Sequence, residues 1–199
     1  MSFRKLRIVL VRLGYIPIAF VGLFVWRSWT AESVRDFAIE WTGYALLMMG
    51  VGIRLWSILY IGKRKGEKLV TTGPYSLCRN PLYVGTLFIA AGAALCMENI
   101  AMLILTLGLM VPIHLLTVRG EERRLAERFG REYEQYRRRT PRYLPAFRRY
   151  QGPAEITVSV WAVRRATIET LAVMLIPPLG DLVEILHARG VLPVLWTPF

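Results

Sequence analysis

The sequence is poor in cysteine and in acidic residues, and it contains no internal repeat. Its two cysteines, Cys78 and Cys96, are too few for a disulfide scaffold, so we expect reduced thiols. The 14 acidic residues are outnumbered by 26 lysines and arginines, which leaves a net charge of +12. This charge imbalance requires a basic surface.

Apolar residues are abundant despite this charge. Hydrophobic side chains make up 54% of the chain and the mean hydropathy is +0.38, so apolar and basic residues must be segregated. A nucleic-acid-binding protein is also basic, but its apolar residues do not gather in runs long enough to cross a bilayer. The pattern favours an integral membrane protein with one basic face. The basic start MSFRKLR precedes an apolar run without a small-residue cleavage site, which indicates an anchor rather than a removed signal peptide.

Four apolar runs are long enough to span a membrane as helices. They cover residues 8–26, 37–61, 82–97 and 100–118, and only Glu98 and Asn99 separate the last two. Two residues can only reverse the chain, so these spans form a tight helical hairpin. Residues 156–165 are typical of an amphipathic interfacial helix. The apolar residues 166–199 are broken by Pro177 and Pro178, and they predict a fifth span or a re-entrant hairpin.

The predicted fold is therefore an all-α integral membrane protein of about five transmembrane helices, with cytoplasmic interfacial helices. It divides into an N-terminal helix pair at 1–62, a catalytic cofactor-binding region at 63–150 and a C-terminal part at 151–199. Basic residues precede the first span, follow the second and crowd residues 119–165. The positive-inside rule thus places the N-terminus and the predicted active site on the cytoplasmic side.

A polar loop, LVTTGPYSLCRNPLYVG, interrupts the apolar chain at residues 69–85. Its Gly-Pro and Asn-Pro pairs are turn dipeptides, and Pro81 suits the first turn of the third span. One interpretation is an ordinary loop in which Arg79 anchors to lipid headgroups. The other is a binding site, because a rigid turn, a guanidinium and two aromatic rings suit an anionic and aromatic ligand.

A second polar segment, residues 117–145, continues the fourth span with arginines, glutamates and tyrosines. Four of its residues fall on one helical stripe: Leu125, Phe129, Tyr133 and Tyr136. The stripe is expected to pack against protein or the membrane interface, while the arginines face lipid phosphates and water. Glu121 and Glu122 either balance neighbouring arginines or hold a cationic amine or ribose hydroxyls.

Residues within the predicted spans also carry two interpretations each. His114 shares a helix face with Glu121, and it is either a hydrogen-bonded structural residue or a functional one. Arg54 lies near the cytoplasmic end of the second span, where it either snorkels to the surface or has a role in the site. Gly50 and Gly52 permit close helix packing or the close approach of a ligand.

The loop LVTTGPYSLCRNPLYVG, paired across a short hairpin with EERRLAERFGREYEQYRRRTPRYLP, resembles the isoprenylcysteine carboxyl methyltransferase family and its phospholipid methyltransferase relatives. The resemblance covers residues 44–145. It implies a membrane-embedded methyltransferase that takes S-adenosyl-L-methionine at the cytoplasmic face and methylates a lipophilic substrate, such as a prenylcysteine carboxylate or a phospholipid amine. The partner is then a bilayer with anionic headgroups on its cytoplasmic side. Neither a metal nor a nucleic acid is implied.

The resemblance also implies cofactor-binding residues, position by position. In the loop they are Gly73, Pro74, Tyr75, Arg79, Asn80, Pro81, Tyr83 and Gly85. In the distal segment they are Glu121, Glu122, Tyr133 and Tyr136, and Gly50 with Gly52 is similar to a Gly-x-Gly element of the phosphatidylethanolamine methyltransferases. Asn80 is a departure, because the carboxyl methyltransferases usually have histidine there. Asparagine hydrogen-bonds but cannot titrate near neutrality, so a proton step at this position is in doubt.

The chemistry of the implied cofactor assigns the roles. S-adenosyl-L-methionine carries a sulfonium, an ammonium and a carboxylate, and each needs a partner near lipid. We expect Arg79 to bind the carboxylate, Glu121 or Glu122 the ammonium or ribose, and a tyrosine ring the sulfonium. A carboxylate acceptor needs no base, whereas an amine or phenol would lose a proton to Glu121 or His114. The predicted catalytic residues are thus Arg79, Glu121 and His114.

Two other function classes stay open on the sequence. The membrane sterol reductases look similar in the same region, which would make the chain an NADPH-dependent oxidoreductase. They favour an Arg-Asp pair where this chain has Glu121 and Glu122. A non-enzymatic lipid-binding membrane protein accounts for the arginines, which would grip anionic headgroups, but not for the glutamate pair.

Overall fold

The structure, a computed structural model, describes residues 18, 20–25, 34–62 and 68–196. Residues 20–24 are helical, and six further helices follow in these ranges: α1 Val34–Ile61, α2 Pro74–Leu77, α3 Pro81–Cys96, α4 Ile100–Arg139, α5 Val160–Met174 and α6 Ile176–Ala188. A 3-10 helix covers Phe147–Arg149. The described ranges contain no strand, only an isolated bridge between Val25 and Trp196. The predicted all-α class is confirmed.

Three helices are long and apolar enough to cross a membrane: Phe37–Ile61, Ile100–Arg139 and Val160–Ala188. The shorter apolar helix α3 matches the run predicted at 82–97. The chain is therefore an integral membrane protein. Most of the run predicted at 8–26 lies outside the described residues. The cytoplasmic orientation and the division at residues 62 and 150 stay predictions.

Helix α4 does not end with its apolar run at residue 118 but continues to Arg139. The residues after Val118 are rich in glutamate, arginine, leucine and alanine, which favour helix, and no proline follows until Pro141. Gly130 interrupts the helix with φ 48° and ψ −118°, a conformation that glycine adopts readily. The predicted stripe from Leu125 to Tyr136 is therefore bent at its middle.

The predicted interfacial segment 156–165 overlaps the start of a longer helix, and its place at the membrane interface stays a prediction. Helix α5 begins at Val160, and only Leu175 separates it from α6. Pro177 lies in the first turn of α6, where a missing amide proton breaks no intrahelical hydrogen bond. Together α5 and α6 form a candidate span of 29 residues, which favours the fifth span over the re-entrant hairpin.

The chain forms two compact units, and the first comprises residues 1–48, 87–113 and 172–199. Its helices α1 and α3 approach closely, because a Cβ at Gly92 would lie 2.5 Å from the backbone nitrogen of Leu47. The hairpin turn between α3 and α4 is held by Asn99, whose side-chain amide donates to the carbonyl of Val25 at 3.1 Å and whose Oδ1 accepts from the amide of Met102.

The second unit comprises residues 49–86 and 114–171. Within it Arg54 forms an ion pair with Glu169, with 3.0 Å between Nη2 and Oε2, and donates from Nη1 to Thr86 Oγ1 at 2.9 Å. The other oxygen of Glu169 accepts from Arg165. Arg54 is thus not a snorkelling residue. It fastens α5 to α1 and α3 through a charge that would otherwise need water.

Candidate functional site

The polar loop lies entirely in the second unit, and Gly73 starts its turn. Gly73 has φ 62°, and a Cβ there would lie 2.3 Å from the ring of Tyr60. Its amide donates to the carbonyl of Gln151 at 2.7 Å. Pro74 then opens the short helix α2, whose four residues are all buried. Only glycine fits this backbone conformation beside an aromatic ring.

The loop is bound to the chain that follows α4. The amide of Arg79 donates to the carbonyl of Pro141 at 2.8 Å, and the amide of Ala146 donates to the carbonyl of Leu77. The hydroxyl of Tyr136 donates to the carbonyl of Tyr75 at 2.7 Å. The two motif segments that the sequence analysis paired are therefore in direct contact.

Glu122 is the centre of this contact, and we call Arg79, Asn80, Glu122 and Arg142 the Glu122 cluster. Glu122 Oε1 accepts from Arg79 Nε and Asn80 Nδ2, both at 3.1 Å. Its Oε2 lies 2.6 Å from Arg142 Nη2. The Glu122 side chain is only 9% exposed, so its negative charge is stabilised by these donors rather than by water.

A second nitrogen of the Arg79 guanidinium donates to backbone. Its Nη1 donates to the carbonyls of Arg137 and Thr140, each at 2.9 Å. These carbonyls belong to the end of α4 and the residue after it, where helix carbonyls lack intrahelical partners. Arg79 therefore closes the C-terminus of α4 while it neutralises Glu122.

The packing of the cluster shifts the pKa values of its ionisable groups. Residues 119–142 lie beyond the apolar part of α4. Burial would raise the pKa of Glu122, but hydrogen bonds from Arg142 and Asn80 and the charge of Arg79 outweigh it and hold the pKa below its ordinary value. The hydrogen bond to Glu122 raises the pKa of Arg142. Burial also raises the pKa of the Cys78 thiol to about 11, which keeps it protonated and unreactive.

Glu121, the other member of the pair, is in a different environment. It is half-buried and makes no hydrogen bond or ion pair with any residue in the described ranges. Burial and the nearby charges of Tyr136 and Glu121 raise the pKa of Tyr75. Glu121 therefore offers an uncompensated carboxylate near a buried tyrosine.

Two tyrosine hydroxyls at the site also lack partners. Tyr75 is 6% exposed and Tyr133 is 1% exposed, yet neither hydroxyl has a hydrogen bond within the part of the chain that the structure describes. Burial raises the pKa of Tyr133 to about 12. Buried polar atoms are almost always paired. One of these hydroxyls is near Glu121 and the other near Glu122, which favours a place for a polar ligand beside the glutamate pair.

The other predicted positions make contacts of a different kind. The ring of Tyr83 contacts His114 edge-on, with centroids 5.2 Å apart. A Cβ at Gly85 would lie 2.8 Å from the carbonyl oxygen of Gly50, so these two glycines allow α1 and α3 to approach. Gly52 is exposed, and a Cβ there would meet nothing within 4 Å.

Comparison with known proteins relates the chain to a methyltransferase family and to two metal resistance proteins. The model of the phospholipid methyltransferase family matches residues 38–132. The cobalt-zinc-cadmium resistance protein CzcN of Cupriavidus metallidurans is 38% identical over 152 residues, which cover 73% of this chain and 68% of the relative. The nickel-cobalt-cadmium resistance protein NccN of Alcaligenes xylosoxydans xylosoxydans is 38% identical over 135 residues, covering 63% of this chain and 62% of the relative.

A methyltransferase is among the relatives. The protein-S-isoprenylcysteine O-methyltransferase of Schizosaccharomyces pombe is 31% identical over 98 residues, covering 49% of this chain and 42% of the relative. The chain belongs to the phospholipid and isoprenylcysteine methyltransferase family. The resemblance inferred from the motif pair is thereby confirmed. No solved structure shows a significant match to the chain.

The family assignment covers the loop and the glutamate pair, but the roles of individual residues stay predictions. The family match ends at residue 132, before Tyr133, Tyr136 and Arg142. Arg142 lies in the second polar segment, 117–145, but the sequence assigned it no role. In the structure it makes the shortest contact to Glu122. Its position directly after Pro141, where α4 has ended, is a local signal that this arginine turns back toward the helix.

Proposed function

We propose that this family member is an S-adenosyl-L-methionine-dependent methyltransferase that acts on a lipophilic acceptor. The observation that carries the proposal is that the two neighbouring glutamates have different partners. The carboxylate of Glu122 is bound by Arg79, Asn80 and Arg142, whereas the carboxylate of Glu121 has no cationic partner among the described residues. A cationic ligand can therefore bind beside a preformed cluster without displacing any part of it.

The residues present fit this cofactor. It carries two positive groups, and the site offers the carboxylate of Glu121 together with the electron-rich rings of Tyr75 and Tyr133. The unpaired hydroxyls of these tyrosines can hydrogen-bond to its ribose or carboxylate oxygens. Arg79 has fewer donors for the cofactor carboxylate than the sequence predicted, because only Nη2 of its guanidinium has no hydrogen bond to a described residue.

The cofactor, when bound, supplies a methyl group on a positively charged sulfur. The chain's residues then have to orient the groups, exclude water and receive a proton where the acceptor has one. Glu121 holds positive charge in place, and the buried Tyr75 and Tyr133 keep water away. His114, in contact with Tyr83, is the base we assign for an amine or phenol acceptor, whereas a carboxylate acceptor needs none.

The membrane setting supports the lipophilic acceptor. Pro81 begins the apolar helix α3, and the Glu122 cluster includes the two residues just before it. An acceptor with an apolar tail can thus remain in lipid while its polar end reaches the site. We place this site, the N-terminus and the arginines of 119–165 on the cytoplasmic side, where anionic headgroups attract them.

Calorimetric titration of the detergent-solubilised protein with S-adenosylhomocysteine tests the proposal. We expect saturable binding. The affinity should fall at least about tenfold in Glu121→Gln, because the variant loses one charge-assisted contact. Glu127→Gln is the matched control, because Glu127 is an exposed glutamate of the same helix. Binding of NADPH instead of the nucleoside would replace the proposal with the reductase, and binding of neither would leave a lipid-binding protein.

The names of two relatives suggest a second, compatible role in metal resistance. Among the residues that the structure describes, no group of three or more His, Cys, Asp and Glu side chains could hold a metal ion. We therefore infer that any contribution to metal tolerance acts through methylation of a membrane component. Growth of an expressing host in cobalt, zinc or cadmium tests this, since Glu121→Gln should abolish the gain in tolerance. Full tolerance with that variant would argue against the link.

A further inference from the structure

An open groove of about 750 Å³ lies beside the Glu122 cluster in the second unit. Six of the ten residues that line it are arginines: Arg79, Arg137, Arg138, Arg139, Arg148 and Arg149. None of the ten is acidic. Guanidinium groups at this density repel one another unless an anion lies between them, and their planar donors match the oxygens of a phosphate.

The depth of the groove relative to the membrane follows from its neighbours. Arg79 precedes by two residues the start of the apolar helix α3 at Pro81. On the other side, the ring of Tyr150 lies 6.0 Å from that of Trp56, which is five residues before the end of α1 at Ile61. The groove therefore lies where α1 and α3 leave the hydrocarbon, at the level of lipid headgroups.

Exposed apolar side chains flank the groove at the same level. Leu144 is 81% exposed and Phe147, which lines the groove, is 74% exposed. Large apolar side chains beside a basic surface are typical of segments that insert into the membrane interface. The segment 144–150 thus presents apolar groups to the acyl chains and arginines to the headgroups.

Several of the arginines have donors to offer. Arg138 and Arg148 are exposed and make no hydrogen bond or ion pair with any residue in the described ranges. Arg137 shares its charge with Glu134, and Arg149 donates to the carbonyl of Arg139. Arg138, Arg139, Arg148 and Arg149 therefore carry charge that no carboxylate in the described ranges balances, and Arg138 and Arg148 have their guanidinium donors free of described partners.

We propose that this groove binds the phosphate of an anionic phospholipid from the leaflet around it. The phosphate accepts charge-assisted hydrogen bonds from Arg138 and Arg148, and the acyl chains lie against Phe147. The groove shares Arg79 with the residues assigned to the cofactor, whereas Arg138, Arg148 and Phe147 have no part in that assignment. It requires only that α1 and α3 end at the membrane surface, and it does not depend on catalysis.

The test is calorimetric titration of the full chain in detergent with a short-chain phosphatidylglycerol, with the matching phosphatidylcholine and inorganic phosphate in parallel. We expect saturable binding of phosphatidylglycerol alone. The double variant Arg138→Gln with Arg148→Gln should weaken it at least about tenfold, because it removes two charge-assisted donors to the phosphate. Arg128→Gln with Arg131→Gln removes the same charge from α4 outside the groove, and binding should stay within about twofold.

The outcomes separate the explanations. An equal loss in both double variants would show non-specific attraction to charge and overturn the proposal, as would unchanged binding in the groove variant. Inorganic phosphate that binds as tightly as the lipid and competes with it would assign the groove to a soluble anion instead. Binding of S-adenosylhomocysteine, measured on each variant, reports folding and the cofactor site, so the two proposals can fail independently.

Discussion

The two units each bury polar side chains, but they treat them differently. In the first unit a cavity of about 40 Å³, room for roughly one water molecule, lies against the hairpin turn. There Asn99 donates to the carbonyl of Val25, and His187 Nε2 lies 2.9 Å from the carbonyl oxygen of Leu23. Buried polar groups of this kind fasten helices by pairing with backbone.

In the second unit some buried polar groups also pair with backbone, but others pair with one another. The Glu122 cluster joins four side chains from two distant segments. The hydroxyls of Tyr75 and Tyr133 stay unpaired within the described residues, as does that of Thr106 in the first unit. Unpaired buried groups destabilise a protein unless a ligand satisfies them. The units therefore differ in the Glu122 cluster, and on the proposed function the second unit is the one that binds a ligand.

The largest effect we expect comes from Glu122→Gln. The substitution leaves Arg79 and Arg142 without their counter-charge, and breaking a buried ion pair lowers the free energy of unfolding by about 3–5 kcal/mol. Thermal unfolding in detergent measures it, with Glu127→Gln as the control. A melting temperature equal to that of the control would mean that the cluster does not stabilise the fold.

The same carboxylate predicts a pH dependence. Because the pKa of Glu122 is lowered in the folded state, its contribution is complete above the unfolded value of about 4.3 and is lost as the pH falls through the lower folded value. The difference in melting temperature between wild type and Glu122→Gln should be constant from about pH 6 to pH 8 and shrink below about pH 4. A difference that grows on acidification would contradict this assignment.

Gly73→Ala should be next in size, and Gly190→Ala in the first unit is its matched comparison. Both glycines have positive φ, 62° and 69°, which alone costs an alanine about 1–2 kcal/mol. A Cβ at Gly73 also meets the Tyr60 ring at 2.3 Å, whereas at Gly190 it meets nothing within 4 Å. Overpacking adds about 1–3 kcal/mol at Gly73. Equal melting temperatures for the two variants would mean that the contact with the Tyr60 ring does not destabilise Gly73→Ala.

His187→Leu should have a smaller effect, confined to stability. Losing the contact to the carbonyl of Leu23 removes one buried hydrogen bond, about 1 kcal/mol, and lowers the melting temperature accordingly. Binding of S-adenosylhomocysteine should be unchanged, because His187 belongs to the first unit. Weaker binding of the nucleoside would extend the functional region into that unit.

Tyr133→Phe should give the smallest change in stability, and its sign is opposite. Removing an unpaired hydroxyl relieves a desolvation penalty, so the ligand-free protein should be unchanged or up to about 1 kcal/mol more stable. Affinity for S-adenosylhomocysteine should fall, because the ligand loses its proposed hydrogen bond to the Tyr133 hydroxyl. Titration and melting on the same preparation check both parts. Lower stability with unchanged affinity would mean that the hydroxyl pairs within the protein.

Hydropathy was sufficient to predict most of the fold. The runs at 37–61, 82–97 and 100–118 coincide with parts of α1, α3 and α4, since about 20 apolar residues have few alternatives to a membrane helix. The length of α4 was underestimated because the prediction followed apolarity and not helix propensity. The residues after Val118 favour helix without being apolar, so the two criteria separate there.

The site was predictable in its segments but not in its pairings. Motif order indicated that residues 73–85 and 121–136 would meet, but one sequence cannot show which of Glu121 and Glu122 faces Arg79. That choice depends on the rotation of α4, and neighbours on a helix point about 100° apart. The pair of Arg54 and Glu169 was also out of reach, because 115 residues separate them.

The continuity of α4 has a consequence for which molecules the protein can use as acceptors. Its apolar part ends near Val118, so Glu121 lies about 5 Å, one helical turn, beyond the hydrocarbon. On the proposed function, the position of Glu121 sets the distance between the methylated atom of the acceptor and the apolar tail of the same molecule. We expect the chain to discriminate acceptors by that short polar distance and to tolerate wide variation in tail length.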